Sequence, residues 1–257
     1  GAVRISTSIQ IDGMPDEAAW AAATPMTVFT QIDPNEGEPV SQPTDVRFLF
    51  DDDALYIGGR FYDSGPIMTR LARRDAGVFD SDLFTVVIDS YHDHQTSYRF
   101  TTNPSGLKRD ATVTSGGGSR GFGRGGRVGD TSWDPVWDVA SVITDEGWFA
   151  EMRIPFSTLR YGAGGQQDWG VNFERKIRRN SEQSMWAPLP RQFDLNRVSL
   201  AGTIALEAPA KRTVTLSPYV LADGFKDYQV TSAEVDYSRQ IGGDVKIGLN
   251  QSLTLDL

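Results

Sequence analysis

The 257-residue chain carries 34 acidic against 25 basic side chains, a formal charge of −9, which argues against a duplex-binding role because neutralising phosphates needs a basic surface. It contains no cysteine, which removes disulfide frameworks and thiolate metal sites and leaves the redox compartment unread. No apolar run reaches the length of a membrane helix, and Gly1-Ala2-Val3-Arg4 lacks the apolar stretch of a signal peptide, so the parent is either cytosolic or has had its signal removed.

In chain order, Ile11-Asp12-Gly13 forms a tight turn, and Asp16 to Ala22 is predicted as two turns of helix with acidic residues at the positive end and Trp20 at the close. Strands then dominate, as alternating or β-branched runs bounded by Gly, Pro, Asn and Asp. The predicted strands are Asp45 to Phe50, Leu55 to Tyr62, Leu83 to Asp89, Ser97 to Asn103, Leu107 to Val113, Trp137 to Ile143, Trp148 to Ile154 and Trp169 to Lys176. In the strand after Gly147, the two-residue period places Trp148, Ala150, Met152 and Ile154 on one face and Phe149, Glu151 and Arg153 on the other. Glu151 beside Arg153 reads as an ion-paired strand residue. The glycine-rich stretch 115–129 has little side chain to bury, which predicts a mobile loop. Its Arg120, Arg124 and Arg127 around Phe122 echo RGG-type nucleic-acid segments, but the acidic context favours the plain loop, and no lysine follows the glycines as a phosphate loop requires. Ser157 to Arg160 is predicted as a single turn.

After Pro209 the pattern changes. Val214, Leu216 and Val220, then Val245, Ile247 and Leu249, then Leu253, Leu255 and Leu257 alternate with polar residues, which suits strands with one apolar face. Additional sandwich strands and the first strands of a transmembrane barrel both fit this dyad. Gly1 and an ending inside an alternating run predict a segment cut from a longer chain. The predicted fold is all-β, a two-sheet antiparallel sandwich of jelly-roll type over residues 1–208, with further or truncated barrel strands over 209–257. Trp20, Phe48, Tyr56, Phe84, Val86, Ile88, Trp148, Met152, Ile154, Val171 and Phe173 are predicted to be enclosed between the sheets.

The ordered set Ile11-Asp12-Gly13 with Asp16-Glu17-Ala18-Ala19-Trp20, Tyr56-Ile57-Gly58, the Asp82 to Asp89 strand, Gly147-Trp148-Phe149-Ala150-Glu151-Met152-Arg153-Ile154-Pro155-Phe156 and Trp169-Gly170-Val171-Asn172-Phe173 resembles the family 9 carbohydrate-binding modules and the related DOMON-like sandwiches. More narrowly, it resembles the amino-terminal domain of a family of Gram-negative outer-membrane proteins that place such a module ahead of a β-barrel. The resemblance implies a non-catalytic glycan-binding domain of the cell envelope, acting in polysaccharide binding or breakdown, with residues 209–257 beginning the barrel that ties it to the outer membrane. It also implies two aromatic clamps on a terminal sugar, which fall on Phe79 and Trp186. Phe79 stands where the family has tryptophan, giving less stacking area and no indole N–H. Asp82, Asn103, Asn172, Glu174 and Gln183 are the polar candidates near those positions, since sugars offer apolar C–H faces to rings and hydroxyls to polar groups. The other reading makes Phe79 and Trp186 an aromatic lid and the sandwich a structural or protein-interaction cap on the barrel.

Acidic pairs around Asp51, Asp53, Asp80 and Asp89 offer hard oxygen ligands, and some modules of this family hold structural calcium, yet none matches an EF-hand and Asp-rich hairpin tips are ordinary turn formers. No other cofactor is expected. His92 and His94, without a clear third ligand, suit a solvated hairpin tip better than zinc. A glycoside hydrolase would need two carboxylates facing one cleft. No motif singles out such a pair, so a role accessory to O-glycosyl hydrolysis is the furthest an enzymatic reading extends.

Overall fold

Period-two alternation builds the computed structural model, which describes residues 1–77, 80–114, 129–210, 214–225, 236–250 and 253–256. Its elements are β1 (Val3–Arg4), α1 (Ala18–Ala21), β2 (Thr30–Asp33), β3 (Thr44–Phe50), β4 (Ala54–Tyr62), β5 (Leu83–Asp89), β6 (Ser97–Thr102), β7 (Arg109–Val113), β8 (Asp138–Thr144), β9 (Gly147–Pro155), β10 (Gly165–Ile177), β11 (Glu182–Met185), β12 (Gly202–Ala208), β13 (Val214–Phe225), β14 (Asp236–Asn250) and β15 (Leu253–Asp256). The chain divides into two compact units, Gly1–Pro209 and Ala210–Leu257. The glycine-rich residues 115–128, and Val78 with Phe79, lie outside the described residues.

The first unit is an all-β sandwich. A five-stranded sheet runs β1-β3-β4-β9-β8; a seven-stranded sheet runs β2-β11-β10-β5-β6-β7, with β12 also paired to β10. Pairing is antiparallel throughout, apart from the two-residue β1, which lies parallel to β3 through Val3↔Leu49 and Arg4↔Phe50. Trp148, Ala150, Met152 and Ile154 of β9 face inward as their spacing requires, against Phe84, Val86 and Ile88 of β5 and Val171 and Phe173 of β10. Aromatic rings join the sheets, Phe61 meeting Phe84 at 4.6 Å and Phe48 meeting Phe173 at 5.3 Å between centroids, separations at which offset or tilted rings attract. A buried cation adds a second tie. Arg175 of β10 donates to the Pro43 carbonyl and the Thr44 hydroxyl, each at 2.8 Å, and to the Tyr62 carbonyl at 2.7 Å, with the Asp63 carboxylate 3.7 Å away. Burial lowers the Arg175 pKa to about 10 against the opposing pull of Asp63, Asp82 and Glu182.

Three expectations are corrected. Trp20 and Tyr56 are buried, but with Ile9, Ala23, Leu49 and Ala54 in a second cluster outside the main core. Residues 5–23 cover the outer face of the five-stranded sheet, so β3 and β4 are buried on both faces and outward apolar side chains need no second sheet. The helix is one turn, Ala18–Ala21, because Glu17 has extended backbone and caps it instead of joining it. Glu151 does not pair with Arg153, whose partner is Asp138 at 3.7 Å. It is buried and accepts the backbone N–H of Asp12 at 3.1 Å, that of Gly13 at 3.0 Å and the Trp20 indole N–H at 3.1 Å. The turn that opens the chain and the tryptophan that follows it are therefore fastened to β9 by one carboxylate. The predicted turn at Ser157 to Arg160 is present, with the Thr158 N–H on the Pro155 carbonyl at 2.9 Å.

In the second unit, β13, β14 and β15 form an antiparallel three-stranded sheet. Val220 and Ile241 stand opposite each other and are 75% and 85% exposed. Among the described residues, no helix is long and apolar enough to cross a membrane.

Candidate functional site

Alternation along β10 sorts its side chains between the faces of the seven-stranded sheet. Val171 and Phe173 enter the core, so Asn172, Glu174 and Lys176 point to the outer face. The register extends this face across the sheet: Glu174 lies opposite Met185 and Thr85, Thr85 opposite Thr101, and Thr101 opposite Arg109. A neighbouring row holds Asn172, Val87, Arg99 and Ala111, and another holds Gln183, Lys176 and Leu83.

The outer face has an apolar and a polar part. Residues 186–200 return over the sheet, and Leu189, Leu195 and Val198 pack with Ile32, Val87 and Met185, with Phe193 at their margin. Next to this apolar region lies a polar patch whose centre, Glu174, Thr85 and Thr101, is buried and whose rim, Gln183, Lys176 and Arg99, is partly exposed. Gln183 Nε2 donates to Glu174 Oε2, and Lys176 Nζ stands 3.2 Å from Glu174 Oε1. The Thr85 and Thr101 hydroxyls are 3.2 Å apart, and Arg99 reaches Asn196 Oδ1 of the returning segment at 3.4 Å. Burial alone would push the Glu174 carboxyl up, but the charges of Lys176 and Arg99 and the bonds from Lys176 and Gln183 outweigh it and hold the pKa below its usual value. A fixed carboxylate flanked by an amide, an ammonium, hydroxyls and a guanidinium offers acceptors and donors side by side, the pattern that a sugar's adjacent hydroxyls require.

Of the residues singled out in the sequence, Glu174 and Gln183 meet in this patch. Asn172 is spent on chain geometry: its amide donates to the Ala187 carbonyl at 2.8 Å, and its Oδ1 accepts from the N–H groups of Phe173 and Ala187 at 2.8 and 2.9 Å. Asp82 is buried and accepts the N–H groups of Arg178 at 2.7 Å and Met68 at 3.3 Å. Asn103 holds the loops beside it, donating to the Arg70 carbonyl at 2.8 Å and the Ser81 hydroxyl at 3.2 Å and accepting from the Ser105 and Leu107 N–H groups. Trp186 packs on the core side, 5.4 Å from Phe173, and its ring occupies the space above Gly202, where a Cβ would stand 2.2 Å from it. The structure thus places Trp186 and Glu174 on opposite faces of the sheet. Phe79 is outside the described residues.

Lys176, Arg99, Thr85 and Thr101 were not singled out from the sequence. The alternation of β10 signals Lys176 beside Glu174, and the inward Tyr98 and Phe100 signal that Arg99 points out; Thr85 and Thr101 join the patch only through register. The acidic turns are occupied otherwise. Asp51 accepts the N–H groups of Asp53 and Ala54 and the Tyr56 hydroxyl, each at 2.8 Å, Asp80 pairs with Arg70 at 2.9 Å, and Asp89 accepts the His94 N–H at 2.8 Å. Among the described residues, no three histidine or acidic side chains gather where they could hold a metal ion.

The fold and the patch define a β-sandwich module with its candidate binding surface on a sheet face. The model of the carbohydrate family 9 binding domain-like family matches residues 11–185, and the chain belongs to that family. Among solved structures, it resembles a family 9 carbohydrate-binding module from Caldicellulosiruptor kristjanssonii in complex with cellotriose, with a TM-score of 0.54 and 16% identity over 82% of this chain and 95% of that one. The module from the same organism in complex with glucose aligns with a TM-score of 0.52 and 16% identity over 82% and 97% of the two chains. A candidate carbohydrate-binding protein from Bacteroides uniformis aligns with a TM-score of 0.58 and 12% identity over 80% and 97%. No curated protein matches the chain.

Proposed function

We propose that residues 1–209 form a non-catalytic glycan-binding domain, and that the glycan lies on the outer face of the seven-stranded sheet against Glu174, Gln183, Lys176, Thr85, Thr101 and Arg99. The observation that carries this reading is the buried Glu174 carboxylate, held ionised by Lys176 and Gln183 on the outer sheet face. Two solved family 9 modules of similar fold were captured with cellotriose and glucose, which supports an oligosaccharide as the ligand. Titration calorimetry with cello-oligosaccharides tests it. Glu174→Gln keeps the shape and removes the charge, and should weaken binding at least about tenfold, or 1.4 kcal/mol, while leaving the fold intact. Indifference of the wild-type domain to a broad panel of oligosaccharides would refute the glycan reading.

The domain is proposed to serve a cell-envelope protein in polysaccharide binding or breakdown, with residues 210–257 as the first strands of an outer-membrane barrel. The dyad alternation of β13 to β15 and the exposed Val220 and Ile241 support that placement, since strands with apolar side chains facing outward suit lipid. A second reading, a structural cap without sugar binding, is favoured by one observation: Trp186 already packs on Phe173 and over Gly202 rather than standing free.

A further inference from the structure

The outer face of the seven-stranded sheet carries more positive charge than Glu174 uses. Lys176 pairs with Glu174 at 3.2 Å. Arg99 and Arg109 lie on neighbouring strands and one face, with Arg99 opposite Ala111 and Arg109 opposite Thr101, a diagonal pair about 7–8 Å apart at the backbone. Both are half-buried, and among the described residues no carboxylate lies within 4.0 Å of either guanidinium. Asp75 acts on Arg109 only at longer range and is itself 3.6 Å from Arg74. Burial, and after it the charge of Arg99, pulls the Arg109 pKa below its usual value. In a chain of formal charge −9, two adjoining, partly desolvated cations that reach carboxylates only beyond 4.0 Å, Arg99 acting on Glu174 and Arg109 on Asp75, are costly unless an anion arrives to meet them. A guanidinium presents paired N–H donors that match a carboxylate in a fork.

We propose that the ligand of this face is an acidic glycan, whose uronate carboxyl group is received by Arg109 and Arg99 while neutral hydroxyls of a neighbouring sugar meet Glu174 and Gln183. This rests on the glycan-binding reading above and narrows it. Arg109 stands in the same cross-strand row as Glu174, three strands away, or about 14 Å at the spacing of paired strands. The two ends of the patch therefore address different sugar units of one oligosaccharide. Neutral hydroxyls alone would leave the charge of Arg109 unmet.

The test is calorimetric titration of the full chain with trimers of galacturonate, mannuronate and guluronate, their methyl esters, cellotriose and sodium acetate. At least one free acid should bind ten or more times tighter than its own ester, and the advantage should shrink as salt screens it. Arg109→Gln should erase that advantage and leave cellotriose affinity within twofold, whereas Arg109→Lys should keep part of it. Thermal midpoints check that both variants fold, and the comparison of acid with ester on the wild-type chain stands without them. Cellotriose binding with no preference for any acid over its ester would overturn this inference and leave the glycan reading standing. Acetate binding as tightly as the trimers would mark an anion site without sugar recognition and overturn it as well. Failure of every sugar to bind would defeat both readings.

Discussion

Glu151 shows how much one buried side chain can organise. Its two oxygens collect donors from Asp12, Gly13 and Trp20, fastening the N-terminal cover to β9, yet burial first, with Glu17 and Asp12 as neighbouring negative charges, pushes its pKa up to about 7 from 4.5. A carboxyl whose pKa is raised on folding binds protons more tightly in the native state. Its contribution to stability is complete below pH 4.5 and is lost as pH rises through about 7. Glu151→Gln cannot titrate, so the stability of wild type relative to this variant should fall between pH 4.5 and 7 and level off above. Thermal midpoints of both proteins across that range check it, and a difference that stays flat or grows with pH would contradict the assignment. The strand's inward set was legible in the sequence because alternation alone decides it. The role of Glu151 was not, because its partners lie on residues 12–20, far along the chain, and only the fold brings them to β9.

Among the elements, β3 to β10 were readable because long alternating runs end at Gly, Pro, Asn or Asp. The elements that escaped were β1, β2 and β11, too short to show a period, and β12. In β12, Ile204, Leu206 and Ala208 do alternate inward, but Gly202 and small residues weaken the pattern. The candidate site suffered for the same reason. Glu174 and Gln183 were identified, whereas the neighbours of Glu174 across the sheet depend on the register of β5, β6 and β7, which no single strand encodes. Trp186 illustrates a different limit, since its residue type suits stacking on either a sugar or a core, and the space above Gly202 decides between them. Gly202→Val should drive a side chain into the Trp186 ring and cost about 1–3 kcal/mol. Combining it with Trp186→Ala should recover part of that loss in a double-mutant cycle on chemical denaturation; strictly additive effects would mean that the two positions do not share this space.

At the scale of the whole molecule, residues 1–209 hold a complete two-sheet core with rings from both sheets interlocked and Arg175 bridging them. The sheet of residues 210–257 instead leaves Val220, Ile241 and Tyr237 largely exposed. A chain ending at Pro209 should therefore fold with a thermal midpoint within a few degrees of the full chain and remain monomeric at higher concentration, because exposed apolar strands promote association. A collapse of the midpoint on truncation would show that the second unit completes the first. The central claim, that a glycan lies on the outer face of the seven-stranded sheet, is tested most directly by mapping amide chemical-shift changes on residues 1–209 as oligosaccharide is added. The account predicts changes centred on Thr85, Arg99, Thr101, Glu174 and Gln183, while Gly58, Gly59 and Glu151 of the opposite sheet stay still. Changes centred on the five-stranded sheet, or on Trp186 and Gly202 with Glu174 unmoved, would contradict it.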